Sequence, residues 1–198
     1  MNQTTLMGRR LLLRPLRHDD FYQWKSVREA NVDWLTKWEP SRSSGAPDVF
    51  SDPTAFSLRC QARDREWQAG IGYGFGLFVE GNFIGEINLS SIQRGPFQSC
   101  YVGYWVDQSH AGNGYVPESL VLAARYGFET LLLHRIQVSI VPRNTASRRV
   151  VEKLALREEG TAQRYLEING VWEDHVRYAM TSEEWYERRS VLLKQWVE

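Results

Sequence analysis

"QSHAGNGYVPES", residues 108–119, sets two glycines around an asparagine, directly after a strand-like run and directly before a helical one. A strand that ends in a glycine-rich turn and runs into a helix leaves several backbone N–H groups pointing outward, at the positive end of the helix dipole. Such a turn suits an anion. Gly112 and Gly114 remove the β-carbons that would keep a phosphate off the backbone, and Pro117 fits the first helical turn, where a missing N–H costs nothing. The same glycines would equally serve a plain connecting turn that needs positive φ.

Outward from the turn, three strand-like runs come before it: "YGFGLFV", "FIGEINLSSI" and "CYVGYWVD", broken at "EGN" and "RGPF" as in an antiparallel meander. After it, the pattern predicts a helix from about Val116 to Leu133, the β-branched run "HRIQVSIVP", and a second helix from near Asn144. This βαβα order implies parallel pairing of the strands that flank the first helix. Nearer the start, "GRRLLLRPLRHDD" reads as a strand, with Asp19 or Asp20 as the N-cap of a helix carrying Phe21, Trp24 and Val27. "NVDWLTKWEPSRSSGAP" is the longest loop, and Ser51, Asp52 and Pro53 then cap a helix to about Ala69. Near the end, "YLEINGVWEDHVRYAM" is two strands joined at Asn169–Gly170, the dipeptide favoured in a type I′ turn. Thr181 and Glu184 have capping-box spacing and open a final helix with Trp185, Leu192 and Trp196. The expected fold is a mixed α/β sheet, antiparallel in its first half, with helices on both faces.

The 198 residues fit one domain, expected to span the whole chain. The 24 basic and 24 acidic side chains cancel, which argues against nucleic acid as a direct ligand. Cys60 and Cys100 lack metal or redox spacing and read as reduced core thiols of a cytoplasmic protein. "MNQTTLMGRR" has no apolar signal core, and no apolar run approaches the roughly 18 residues of a membrane span, so no membrane partner is expected. His110 has no partner at ligand spacing, so no metal is expected either. A P-loop would close on Gly-Lys-Ser/Thr where the chain has Gly114-Tyr115-Val116, and a dinucleotide fingerprint would need glycine at Pro117. "GYGFG" at residues 72–76 lies on a strand with no helix after it, so its glycines read as packing or a bulge.

These residues resemble the GNAT acyltransferases, whose acetyl-coenzyme A turn has the pattern Q/R-x-x-G-x-G/A. The window here is Ala111-Gly112-Asn113-Gly114-Tyr115-Val116, which keeps the central glycine and departs at both ends. "RPLRHDD", "NTASRRVVEKLAL" and "NGVWEDHVRYAM" support the likeness in the same order, and "WEP", "RGPFQSCYVGY" and "YLEINGVWEDHV" point to the RimJ/RimL type of ribosomal-protein-alanine N-acetyltransferase. The resemblance covers about Arg9 to Thr181. It implies a sheet splayed at its centre and transfer of acetyl from acetyl-CoA to an amine, such as the N-terminal α-amino group of a ribosomal protein. The other readings are a small amine as acceptor (a polyamine or aminoglycoside) and a silent CoA-binding regulator.

The resemblance further implies that Tyr104, Trp105 and Val106 pair with the pantetheine arm and that Ala111 to Val116 receive the pyrophosphate. Asn144 would bond the pantetheine amide, although asparagine there is also a good helix N-cap. Ser147 lies on the same helix face and would protonate the departing thiolate, or be merely solvated. A general base must be a carboxylate facing the split; Glu86, which alternates with Asn88 on one face of "GEINLS", Glu167 and Glu39 are the candidates, each equally readable as a surface carboxylate. Trp34 and Trp38, with Glu39, Asn88 and Tyr165, are expected at the acceptor groove. Asp174 and His175 point to opposite faces of a strand, so His175 is structural or groove-lining. The C-terminal aromatic helix offers a contact for a second copy of the chain.

Overall fold

The computed structural model describes residues 4–41 and 49–198. Among them, eight strands form one sheet in the order β1-β2-β3-β4-β5-β6-β8-β7. β3 (Tyr73–Val79), β4 (Asn82–Gln93) and β5 (Ser99–Val106) are the expected meander, extended at one edge by β2 (Leu12–Arg14) and β1 (Leu6–Met7). β7 (Arg157–Ile168) and β8 (Val171–Thr181) form the C-terminal hairpin, with Asn169 at φ 47° and Gly170 at φ 81°, the two positive values a type I′ turn requires. Every pair is antiparallel except β5 with β6 (Arg135–Ile140), which run parallel because α4 crosses over between them.

Helices cover both faces. α4 (Tyr115–Arg125) and α6 (Ser182–Trp196) pack on the larger core, where Trp185 is fully buried and donates its indole N–H to Glu129 at 3.0 Å. α1 (Phe21–Ala30) and α3 (Pro53–Ala69) close a second cluster of Phe21, Trp24, Phe56, Phe78 and Phe83. Burying each of these large apolar side chains contributes about 1.5–3 kcal/mol. The expected caps of α3 and α6 form: Asp52 accepts from Thr54 N at 2.7 Å, and Thr181 N donates to Glu184 at 2.8 Å.

Three expectations change. The helix after the turn stops being α-helical at Arg125 and widens into a π turn over Tyr126–Thr130. There Gly127 presses against the sheet, so that a β-carbon would lie 2.9 Å from Ile136, an approach that the apolar periodicity does not reveal. Asp20 does not cap α1; its carboxylate takes both arms of Arg14 at 2.7 Å and the Arg17 N–H at 2.7 Å. Two charge-assisted bonds outweigh one cap bond. The expected long loop contains α2 (Val32–Leu35) and a 3₁₀ turn at Thr36–Trp38, and its residues 42–48 lie outside the described ones.

Candidate active site

β5 and β6 pair over only three residues, Ser99 with Arg135, Cys100 with Ile136 and Tyr101 with Gln137. Beyond these the strands run on to Val106 and Ile140 without pairing, so the sheet opens as a wedge. The backbone of β5 on the open side can be assigned. Asp107 N bonds Ile84 O on β4 at 2.8 Å, so alternation turns the main chain of Val106 and Tyr104 toward the gap. Trp34 Nε1 reaches Val106 O there at 3.2 Å. The wedge is a cleft of about 480 Å³, a size that holds a small-molecule ligand.

At the mouth of the wedge lies the glycine turn. Gly112 (φ 82°) and Gly114 (φ 84°) hold left-handed conformations that a side chain would strain, and Gly114 is the N-cap of α4. The first amide of that helix with a protein acceptor is Glu118, bonded to Gly114 O at 3.1 Å. Among the described residues, the N–H groups from Gly112 to Val116 have no protein acceptor. The departures from the glycine pattern are packed residues: Val116 is buried and Ala111 packs against the core.

Across the wedge, α5 (Thr145–Lys153) begins at Asn144, whose Oδ1 accepts from Ser147 N at 3.1 Å. That leaves the side-chain NH₂ of Asn144, a residue that lines the cleft, without a partner among the described residues. Ser147 Oγ donates to the Tyr104 hydroxyl at 3.0 Å, and Tyr104 in turn donates to Ser147 O at 3.3 Å. Burial pushes the Tyr104 phenol well above its ordinary range despite the Ser147 bond, so it stays protonated and remains a donor.

The cleft thus brings together Tyr104, Trp105, Val106, Ala111, Gly112, Gly114, Tyr115, Val116, Asn144 and Ser147 with Trp34, Trp38 and Glu39. Five expected residues do not line it: Asn113, Glu86, Asn88, Glu167 and Tyr165. Asn113 points its side chain back to His110 O and Ala111 O. Glu86 is buried and holds Trp24 Nε1 at 2.7 Å and Arg59 at 2.6 Å. Burial opposes its charge, but the Arg59 guanidinium and the Trp24 bond prevail and keep the carboxyl below the usual range. It therefore does not face the split as expected, since its partners on α1 and α3 hold it beneath those helices. Asn88, on the same face of β4, turns its Oδ1 to within 2.8 Å of where a Gly74 β-carbon would sit. Glu167 pairs with Trp172 on the outer hairpin, and Tyr165 stands edge-on to His175 with centroids 5.6 Å apart. Neither residue lines the cleft, although the Tyr165 hydroxyl interacts with Tyr101 on β5 and Ser139 on β6, and the hairpin tip bonds the cleft loop through Asn169 N to Glu39 O at 2.9 Å.

Glu39 is the one candidate base at the cleft, and both of its oxygens are taken by Arg28, at 2.6 and 2.7 Å. Arg28 also stacks over Trp105 at 4.9 Å, and Arg143 lies over Trp38 at 4.8 Å. His175 is buried and bonds Glu173 O through Nδ1 at 3.0 Å, while Asp174 takes Arg164 N at 2.8 Å, so the two neighbours have separate partners. His110 pairs with Asp107 at 2.8 Å, and no metal-binding cluster occurs among the described residues.

A family model described as an acetyltransferase (GNAT) domain matches residues 10–157, which include the turn, the wedge and both helices that frame it. The chain belongs to the GNAT acetyltransferase family. It is an acyl-group transferase by that membership. Among similar GNAT proteins, the [ribosomal protein uS5]-alanine N-acetyltransferase of Escherichia coli (strain K12) is 33% identical over 178 residues, covering 89% of this chain and 90% of that one. The structure of Mycobacterium smegmatis RimJ in complex with CoA-disulfide superposes with a TM-score of 0.85 at 30% identity, covering 96% of this chain and 94% of that chain. The ribosomal-protein-S5-alanine acetyltransferase from Vibrio fischeri gives 0.82 at 28% identity, covering 92% and 98%. No helix among the described residues is long and apolar enough to cross a membrane.

Several residues at the GNAT site escape a reading of the sequence. Arg28, Arg149 and Lys153 contribute cations at or beside the cleft, and the Tyr104 hydroxyl partners Ser147. Glu118 is fully buried and accepts Arg10 N, Leu11 N and Arg10 Nε at 2.8, 3.2 and 2.9 Å. An acid in the first turn of a helix reads as dipole complementarity alone. Its partner lies 108 residues away, where no local signal links them.

Proposed function

We propose that the protein transfers acetyl from acetyl-CoA to the N-terminal α-amino group of a protein, such as a ribosomal protein. The observation that carries the reading is the juxtaposition, on one cleft, of the β5 edge at Tyr104, which β6 does not pair, with a turn at residues 112–116 whose amides have no acceptor among the described residues. The pantetheine arm would add to β5 as a strand does, with its diphosphate on the turn and its amide at the Asn144 NH₂. The complex of Mycobacterium smegmatis RimJ with a CoA-disulfide supports this choice of ligand.

The amine nitrogen forms the C–N bond, the C–S bond breaks, the departing thiolate takes the proton of the Ser147 hydroxyl, which rotates to it from its bond to Tyr104, and the proton that the amine sheds passes through water back to the Ser147 oxygen. An α-amino group titrates near pH 8, so a useful fraction is neutral at pH 7 and a water relay suffices. That fits a cleft whose one carboxylate among the described residues, Glu39, is clamped by Arg28. Trp34 and Trp38 wall the acceptor side, and the name of the Escherichia coli relative supports a protein acceptor.

Thiol release from acetyl-CoA is the test, measured against peptides with a free N-terminus, peptides with lysine amines only, and small polyamines. Turnover confined to the first group is expected. Turnover with polyamines alone would overturn the acceptor, and binding of acetyl-CoA without turnover of any amine would make the protein a cofactor-binding regulator.

A further inference from the structure

We infer that Arg10 and Glu118 form a brace that aims the Gly114 amide at the diphosphate, making them positioning residues for acetyl-CoA; this rests on the acetyl-CoA reading above. None of the residues 108–116 carries a permanent cation, so the turn holds an anion through its main-chain N–H groups. Their direction is therefore what matters, and glycine at 112 and 114 leaves that direction weakly determined by local sterics.

Arg10, in the bend between β1 and β2 and far away in sequence, supplies the missing constraint. Its Nη1 donates to Asn113 O at 2.8 Å, while Nε and Nη2 grip the buried Glu118 carboxylate, each at 2.9 Å. In a trans peptide the C=O and the next N–H point in opposite directions. Fixing Asn113 O on the guanidinium thus turns Gly114 N–H to the other side of the turn, away from Arg10. The packing agrees. A β-carbon on Gly114 would lie 3.2 Å from Arg10 Nη2 and 3.3 Å from Trp196 Cζ3, so guanidinium and indole cover the back of the turn. The guanidinium also lies over the Tyr115 ring at 4.8 Å. Because the buried carboxylate cancels its charge, the pair works by holding a peptide in place rather than by long-range attraction.

The test compares coenzyme A with pantetheine, which lacks the diphosphate, by protein NMR titration of the wild type, the Arg10→Met/Glu118→Gln double variant and Arg10→Lys. The double variant removes both charges and so leaves no unpaired one buried. Its Kd for coenzyme A should rise about tenfold or more, with pantetheine binding unchanged and the Gly114 amide no longer shifting on coenzyme A addition. Arg10→Lys keeps the charge but lacks the planar fork that spans Glu118 and Asn113 O, and should lose part of the same affinity even if the double variant does not fold. Coenzyme A affinity within twofold of wild type in the folded variants, or an equal loss for both ligands, would overturn the brace. A wild type that binds no coenzyme A would instead sink the acetyl-CoA reading itself.

Discussion

Glu86→Gln should make the protein easier to unfold while leaving its chemistry intact. The carboxylate is 4% exposed and accepts bonds at 2.7 Å from Trp24 and 2.6 Å from Arg59, whose guanidinium also lies over the Trp24 ring at 5.3 Å. Glutamine keeps the volume and a bond to Trp24 but leaves Arg59 without its countercharge. Breaking a buried pair in this way costs about 3–5 kcal/mol. The Arg59 side chain is 25% exposed and recovers some hydration, which favours the lower end, about 3 kcal/mol. At roughly 2–4 °C per kcal/mol for a chain of this size, Tm should fall by about 6–12 °C. Calorimetry gives the Tm, and thiol release well below it gives kcat per folded molecule, expected within about twofold of wild type. Replacing both partners, as Arg59→Met/Glu86→Gln, should recover much of the loss. An unchanged Tm with kcat reduced about a hundredfold would refute the reasoning and put this carboxylate at the reacting amine.

Ser147→Ala should lower kcat about a hundredfold with coenzyme A affinity unchanged, as loss of a general acid requires; unchanged turnover would remove that role. Asn144→Asp keeps the cap that Ser147 N uses but loses the side-chain donor, so coenzyme A affinity should drop at unchanged Tm, whereas Asn144→Ala should also cost about 1 kcal/mol of stability in urea unfolding. Stability should fall in acid. At Glu86 burial opposes the charge, and the Arg59 charge, the Trp24 and Arg59 bonds and the Arg63 charge together outweigh it; at Asp20 burial likewise opposes the charge, and the bonds and charges of Arg14 and Arg17 together outweigh it, so both folded values are depressed. Their contribution is complete above their unfolded values of about 4 and is lost as pH falls through the folded ones, which urea midpoints at about pH 6 and about pH 3 should show. Cys60 and Cys100 are buried thiols, pushed up to about 11 and about 12 mainly by burial, so native protein should resist alkylation and denatured protein should take up label at both.

The sequence by itself determined the parts of this protein that depend on local rules. The order of strands and helices, the caps at Asp52 and Thr181, the Asn169–Gly170 turn and the glycine turn that opens α4 follow from side-chain period, φ preference and nearby hydrogen bonds. That Ser147 and Asn144 share one face at the start of α5 follows from their spacing, whereas the roles expected of them rest on the family resemblance. Only the tertiary structure decided which carboxylates face the wedge. It sent Glu86 beneath α1 and α3, clamped Glu39 with Arg28, and placed Arg10 behind Gly114 through Glu118. The physical reason is that a charge finds its partner across space once the chain is packed, and neither residue type nor local periodicity records which distant cation will arrive.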